Sequence, residues 1–291
     1  MLNLYATPSE IKAGAPDGIR PTTVKYDSLL LHLANQVSRF IDRWCRQVFY
    51  PALATRYFDG RGKKTLTIGP LLSLTSVEIS EDDGLSYSAV TLDVDFRLTW
   101  YGDSNDPRSW TQLVIDPNGS ESAWPNGPRT VRVIGVWAYA DDRATAWEPS
   151  TDTVQDNPLL IGATSLTVAD ADGADQLGIT PRFQAGQLLR IESEFTYCSA
   201  TNTTTNVLTI ARAQNGTIAA QHAQGKQIDI WRPPEPVKQA AIIQAVRLME
   251  RGFQGYGDAR ASAELSQMIY LRALDPEARA LLEPYRIVRA G

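Results

Sequence analysis

Apolar residues recur at spacings of three and four from residue 26 onward: Tyr26, Leu30, Leu33, Val37, Phe40, Ile41, Trp44 and Val48. That period predicts one stripe of an α-helix of about seven turns. His32, Asn35, Gln36, Arg39, Asp42, Arg43 and Arg46 form the opposite, polar face. Pro51 sets the limit, because proline disfavours helical geometry in the residue before it. The period then changes to two. Thr55 and Tyr57, then Thr65 and Thr67, flank the turn Asp59-Gly60-Arg61-Gly62, which reads as a hairpin. A lone amphipathic helix is marginal in water, so its stripe needs later helices or another subunit.

Ahead of this helix, residues 1–21 hold a short helix and a linker. Thr7-Pro8-Ser9-Glu10 has the pattern of a capping box with proline in the first turn, and Gly14 ends the segment. Thr22 or Thr23 is placed to cap the long helix. Residues 55–140 read as β structure: Val77 and Ile79 before the turn Asp82-Asp83-Gly84, then the alternating run Val90, Leu92, Val94, Phe96, Leu98, Trp100. Trp110, Leu113 and Ile115 follow, and then Val131, Val133, Val136 and Trp137 around Gly135. The expectation is a small antiparallel sheet packed on the helix. Residues 141–156 read as a polar linker.

The stretch 157–231 is β again, with its own turns: Leu166 and Val168, Leu188 to Ile191, Phe195 and Tyr197, Val207 to Ile210, Ile228 and Ile230. It is long enough for a small barrel or sandwich and reads as an insertion. After Pro233-Pro234 the helical period returns for 235–253. Val237, Ala240, Ala241, Gln244, Ala245 and Leu248 form one stripe, and Ile242, Val246, Met249 and Phe253 a second. A helix apolar on two faces has surface to spare for subunit packing. Gly252, Gly255 and Gly257 end it, Ala259–Leu274 reads as another helix, and Asp275-Pro276-Glu277 opens a last short one. The fold class expected is therefore α+β. It has a helical bundle with a small antiparallel sheet (22–156 and 232–291) and an inserted all-β domain (157–231).

Composition changes this picture little. The 291 residues are 43% hydrophobic and 21% charged, as in ordinary globular proteins. No apolar run is long enough to span a membrane, and the N-terminus lacks the pattern of a secretion signal. Cytoplasmic synthesis is the expectation. Lys and Arg number 28 against 33 Asp and Glu, a net −5 without a basic block, which argues against tight nucleic-acid binding. An acidic wall is compatible with DNA sliding past.

Candidate chemistry is sparse. His32 falls on the polar face of the long helix, and His222 in a loop-like stretch. Cys45 and Cys198 offer no zinc spacing, and no nucleophile-elbow, phosphate-loop or dinucleotide motif occurs. The carboxylates of Asp170 to Asp175 could hold calcium but lack EF-hand spacing, and a solvated turn is the plainer reading. Glu192 and Glu194 read as sharing a strand face. The dispersed Trp residues (44, 100, 110, 124, 137, 147, 231) suit packing better than a sugar platform. No catalytic, metal or cofactor-binding residues are assigned, and the chain reads as a non-enzyme.

Three stretches together, SRFIDRWCRQVFYPALATRYFDG, GVWAY and RPPEPVKQAAIIQAVRLMERG, resemble the head–tail adaptor (connector) family of long-tailed bacteriophages. The shared order is a helix ending at Cys45-Arg46-Gln47-Val48-Phe49, the step Tyr57-Phe58-Asp59-Gly60, and a late Pro-Pro-led helix. Pro284-Tyr285-Arg286 resembles the tails of such proteins. The resemblance covers about residues 24–140 and 232–291, and the 157–231 insertion departs from it. It implies a homo-oligomeric ring, usually of about twelve copies, at the virion neck. The ring would dock on the portal protein, receive a stopper or tail-completion protein, and let DNA pass through its channel without specific binding. The docking tail would comprise Leu281, Leu282, Pro284, Tyr285, Arg286, Ile287 and Val288, and the subunit-packing residues Ile242, Val246, Met249 and Phe253. A rival reading makes 157–231 a module that binds a host surface or glycan. A third, a hydrolase, needs a nucleophile that no motif reveals.

Overall fold

A computed structural model describes residues 2–15, 26–253, 259–262, 267–270 and 274–287. It corrects the expected fold class. The protein is mostly β, with two antiparallel sheets of six strands each; the described helices number four. It divides into two compact units, Met1–Gln47 with Glu148–Arg212 and Ala219–Gly291, and Val48–Trp147 with Ala213–Ile218.

The first unit holds the helices. Helix α1 (Pro8–Gly14) has its capping box: Thr7 Oγ1 accepts from the Glu10 N–H at 3.1 Å, and Glu10 Oε2 accepts from the Thr7 N–H at 2.7 Å. Helix α2 (Asp27–Cys45) buries Leu30, Ala34, Val37, Ser38, Ile41 and Cys45. It spans about five turns, fewer than the apolar period suggests, because Arg46 turns left-handed (φ 57) and closes it. Thr22 and Thr23 lie outside the described residues. Helix α3 (Glu235–Phe253) packs on α1 and α2 and on α4 (Pro276–Leu282). Its first stripe is buried through Val237, Ala240, Ala241, Gln244 and Ala245. Gln244 belongs there because its Oε1 accepts from the Asp275 N–H at 3.1 Å. Asp275 also caps α4 by accepting from Glu277 N–H and receives Arg247 at 3.2 Å, which ties the two helices together.

The expected helix over Ala259–Leu274 is not formed. Ala259–Ser262 (β13) pairs with Gln267–Tyr270 (β14) as a two-stranded ribbon. Met268-Ile269-Tyr270 carries strand propensity that the helical period masked.

The unit's sheet runs β7-β12-β9-β10-β11-β8, comprising β7 (Trp147–Thr153), β8 (Ser165–Thr167), β9 (Leu188–Ile191), β10 (Glu194–Asn202), β11 (Val207–Ala211) and β12 (Gln227–Trp231). Strand β7 falls where a polar linker was expected. Its Ser150 and Asp152 are buried and hydrogen-bonded: Asp152 accepts from the backbone N–H of Ala169 and Asp170. Polarity misled the sequence reading because these side chains serve backbone groups inside. The core is aliphatic, with Leu166, Leu189, Ile191, Leu208, Ile228 and Ile230 among its members and Phe183 against them.

In the second unit the sheet order is β1-β6-β2-β5-β4, with β3 on β2. The strands are β1 (Ala52–Gly60), β2 (Thr65–Ile79), β3 (Ser88–Val90), β4 (Phe96–Thr99), β5 (Trp110–Ile115) and β6 (Gly127–Trp137). The hairpin expected across Asp59–Gly62 is absent as a pairing: β1 and β2 flank β6, which pairs with both. Strand β6 takes the centre because both faces are apolar, with Val131, Val133 and Trp137 buried and Ile134 and Val136 half-buried. The run Val90–Trp100 is two strands. Buried Asp95 accepts from Thr91 N–H and from the N–H and hydroxyl of Ser120, folding residues 91–95 into a turn. This sheet has its own core around Leu71, Phe96, Leu113, Trp124 and Trp137, so it is not a small sheet resting on a helix.

Candidate functional site

Of the tail residues singled out from the sequence, Leu282, Tyr285, Arg286 and Ile287 meet the C-terminal end of α2. Leu281 and Leu282 belong to α4, and Leu282 is fully buried in its own chain, so it is structural. After α4 a single 3₁₀ turn, Glu283–Tyr285, carries Pro284. Gln47 Nε2 then donates to the Tyr285 carbonyl at 2.7 Å, and the Ile287 N–H donates to the Cys45 carbonyl at 2.9 Å. That second bond serves one of the carbonyls that the end of α2 leaves open. Arg286 lies over the Trp44 ring at 5.0 Å and Arg279 at 5.7 Å. Pro284 is exposed, Tyr285 and Arg286 are half-buried, and Ile287 is 39% exposed. Val288 lies outside the described residues. The backbone of the segment is therefore fixed while much of its side-chain surface faces outward.

Of the proposed subunit-packing residues, Met249 is buried by its own chain and Val246 is half-buried. Ile242 is half-buried against Gly14, where an added Cβ would come within 2.5 Å of Ile242 Cγ2. The Phe253 side chain lies outside the described part.

Beneath the tail seat, burial pushes the Cys45 thiol up to about 12, helped by the negative Asp42. Asp42 itself is raised to about 6, again chiefly by burial, against the opposing hydrogen bond from Tyr5 and the charge of Arg39. Neither group is poised for chemistry: the thiol is too basic to ionise and has no partner base.

The densest polar cluster is one the sequence reading left in pieces. His222, 1% exposed, places Nδ1 2.8 Å from Glu192 Oε2 and Nε2 2.9 Å from Glu194 Oε2. Both ring nitrogens therefore lie within hydrogen-bond distance of a carboxylate. Fully buried Glu194 also accepts from Arg212 Nε at 2.7 Å, Arg212 Nη2 at 2.6 Å and the Ala220 N–H at 3.0 Å. Lys226 reaches Glu192 at 2.5 Å and holds that carboxyl below its usual range, with His222 adding to the effect. The two glutamates do not share a strand face, since Glu192 turns the β9–β10 hairpin at φ 54. No local signal joins them to His222; strand pairing brings together residues about thirty positions apart. With both Glu194 oxygens occupied and His222 enclosed, these two side chains tie hairpin to loop, while Glu192 and Lys226 lie at the surface.

Two of the carboxylates weighed as calcium ligands, Asp170 and Asp175, serve arginines and backbone. Asp170 meets Arg182 at 3.3 Å, and Asp175 pairs with Arg232, which also holds Glu148 at 2.9 Å. His32 is exposed on α2. Trp124, Trp137, Trp147 and Trp231 are buried, while Trp100 and Trp110 are stacked by Arg108 (4.6 Å) and Arg143 (4.1 Å). No described helix is long and apolar enough to cross a membrane. No family model matches the chain, and neither curated proteins nor solved structures give a match.

Proposed function

We propose that the protein is a structural head–tail adaptor of a tailed bacteriophage, a ring component that docks on the portal, surrounds the DNA channel and receives the next neck protein. The supporting observation is the tail seat: the backbone of residues 283–287 is pinned at the end of α2 by the Cys45 carbonyl and the Gln47 side chain, yet Pro284 and Ile287 are exposed. A pre-ordered segment loses less entropy on docking than a free one, which suits an interface made by short contact surfaces. The buried Glu194, Arg212 and His222 side chains are tied up in internal hydrogen bonds, in keeping with a protein whose work is mechanical. Burial of Leu282 refines the docking set to Leu281, Pro284, Tyr285, Arg286, Ile287 and Val288.

The test is a chain truncated after Glu283, which keeps Leu282 and the whole of α4. It should stay folded and fail to co-sediment with portal rings of the same virus, whereas the full chain binds. Attachment that survives the truncation, or infectious particles made without the protein, would refute the reading.

A further inference from the structure

Strand β4 is an edge of its sheet, and its free side is closed at both ends by the chain itself. The Asp93 N–H donates to the Phe96 carbonyl at 2.8 Å, and Trp100 exchanges backbone bonds with Asp103 at 2.8 and 2.9 Å. Backbone groups on an antiparallel strand alternate in direction, so Leu98, two residues from each, turns its N–H and C=O the same way, outward from β5. Leu98 has no partner on that side among the described residues. Its side chain is in the core, so its backbone is what borders the open groove of about 440 Å³ lined by Leu92, Asp93, Arg97, Leu98, Ser104 and Trp110.

The groove's charge is unbalanced. Arg97 is committed to Asp116 at 2.7 Å, while the Asp93 carboxylate has no partner among the described residues. We propose that this groove binds an extended peptide segment of a partner protein, one residue of which pairs with Leu98 N–H and C=O while a neighbouring Lys or Arg meets Asp93. The closures at Phe96 and Trp100 leave a gap of roughly 13 Å, room for about three extended residues, so recognition is short. Apolar atoms of the segment lie against Leu92 and Trp110. This site is independent of the neck reading and stands or falls separately from it.

The experiment uses the full chain, labelled for amide NMR, and two acetylated, amidated hexapeptides of alternating Val and Thr, one with a central Lys and one with Glu. Saturating Lys peptide should slow hydrogen exchange at the Leu98 amide about tenfold. It should bind about three- to fivefold more tightly than the Glu peptide, the size of one partly exposed ion pair. Asp93→Asn should erase that preference and still fold, because Asn adopts the φ of 61° found at this position. Leu98 exchange unchanged at millimolar Lys peptide overturns the proposal, as does a charge preference that persists in D93N.

Discussion

Replacing Asp42 by Asn should stabilise the first unit at alkaline pH and leave it unchanged in acid. Asp42 sits on α2 among Tyr5, whose hydroxyl donates to Oδ1, and Arg39 at 3.2 Å. Burial lifts its pKa from 3.8 to about 6 in spite of both neighbours. Because the folded value exceeds the unfolded one, the group's contribution is whole below about pH 3.8 and is lost as pH rises through about 6. The gap corresponds to ~3 kcal/mol of cost for the ionised native state. Asn keeps the acceptor for Tyr5 and carries no charge, and the attraction of Arg39 is already included in the net shift. The net expectation is a gain of about 3 kcal/mol near pH 8 that shrinks toward zero near pH 4. Urea unfolding of both proteins, followed by far-UV circular dichroism across that range, measures it. A difference that stays constant with pH, or that favours Asp at pH 8, would show that burial does not dominate at this carboxyl.

Glu194→Ala should be far more damaging than a surface substitution, since it strands the Arg212 guanidinium and His222 inside. A loss of about 3–5 kcal/mol in the same unfolding assay is expected. Gly216→Ala places a Cβ 2.1 Å from the Leu53 carbonyl at φ +85, so the second unit should lose about 1–3 kcal/mol, read from its own thermal transition. Cys198, pushed up to about 11 by burial, and Cys45, at about 12, should resist a thiol-specific disulfide reagent at pH 8 and react only when denaturant opens the fold. Rapid labelling of the native chain would contradict their burial.

Helix α1 was legible to the residue, because a capping box is a local device whose partners lie three positions apart. The cap on α4 was legible for the same reason, and the buried stripe of α3 followed from the helical period. Most strands were visible as alternation, since period two reports only that one face is wet. Which strands pair is a different matter. Alternation cannot say that β6 enters between β1 and β2, nor that Asp95 folds a six-position run into two strands, nor that buried polar side chains make a strand of residues 147–153. The weight of β over helix followed from those pairings, and so did its consequence that each sheet carries its own core. The Glu194, Arg212 and His222 cluster and the open edge at Leu98 had no local signature for the same reason. Short-range order is written in neighbouring residues, whereas long-range hydrogen bonding and burial are decided only when distant segments compete for the same edge and the same core.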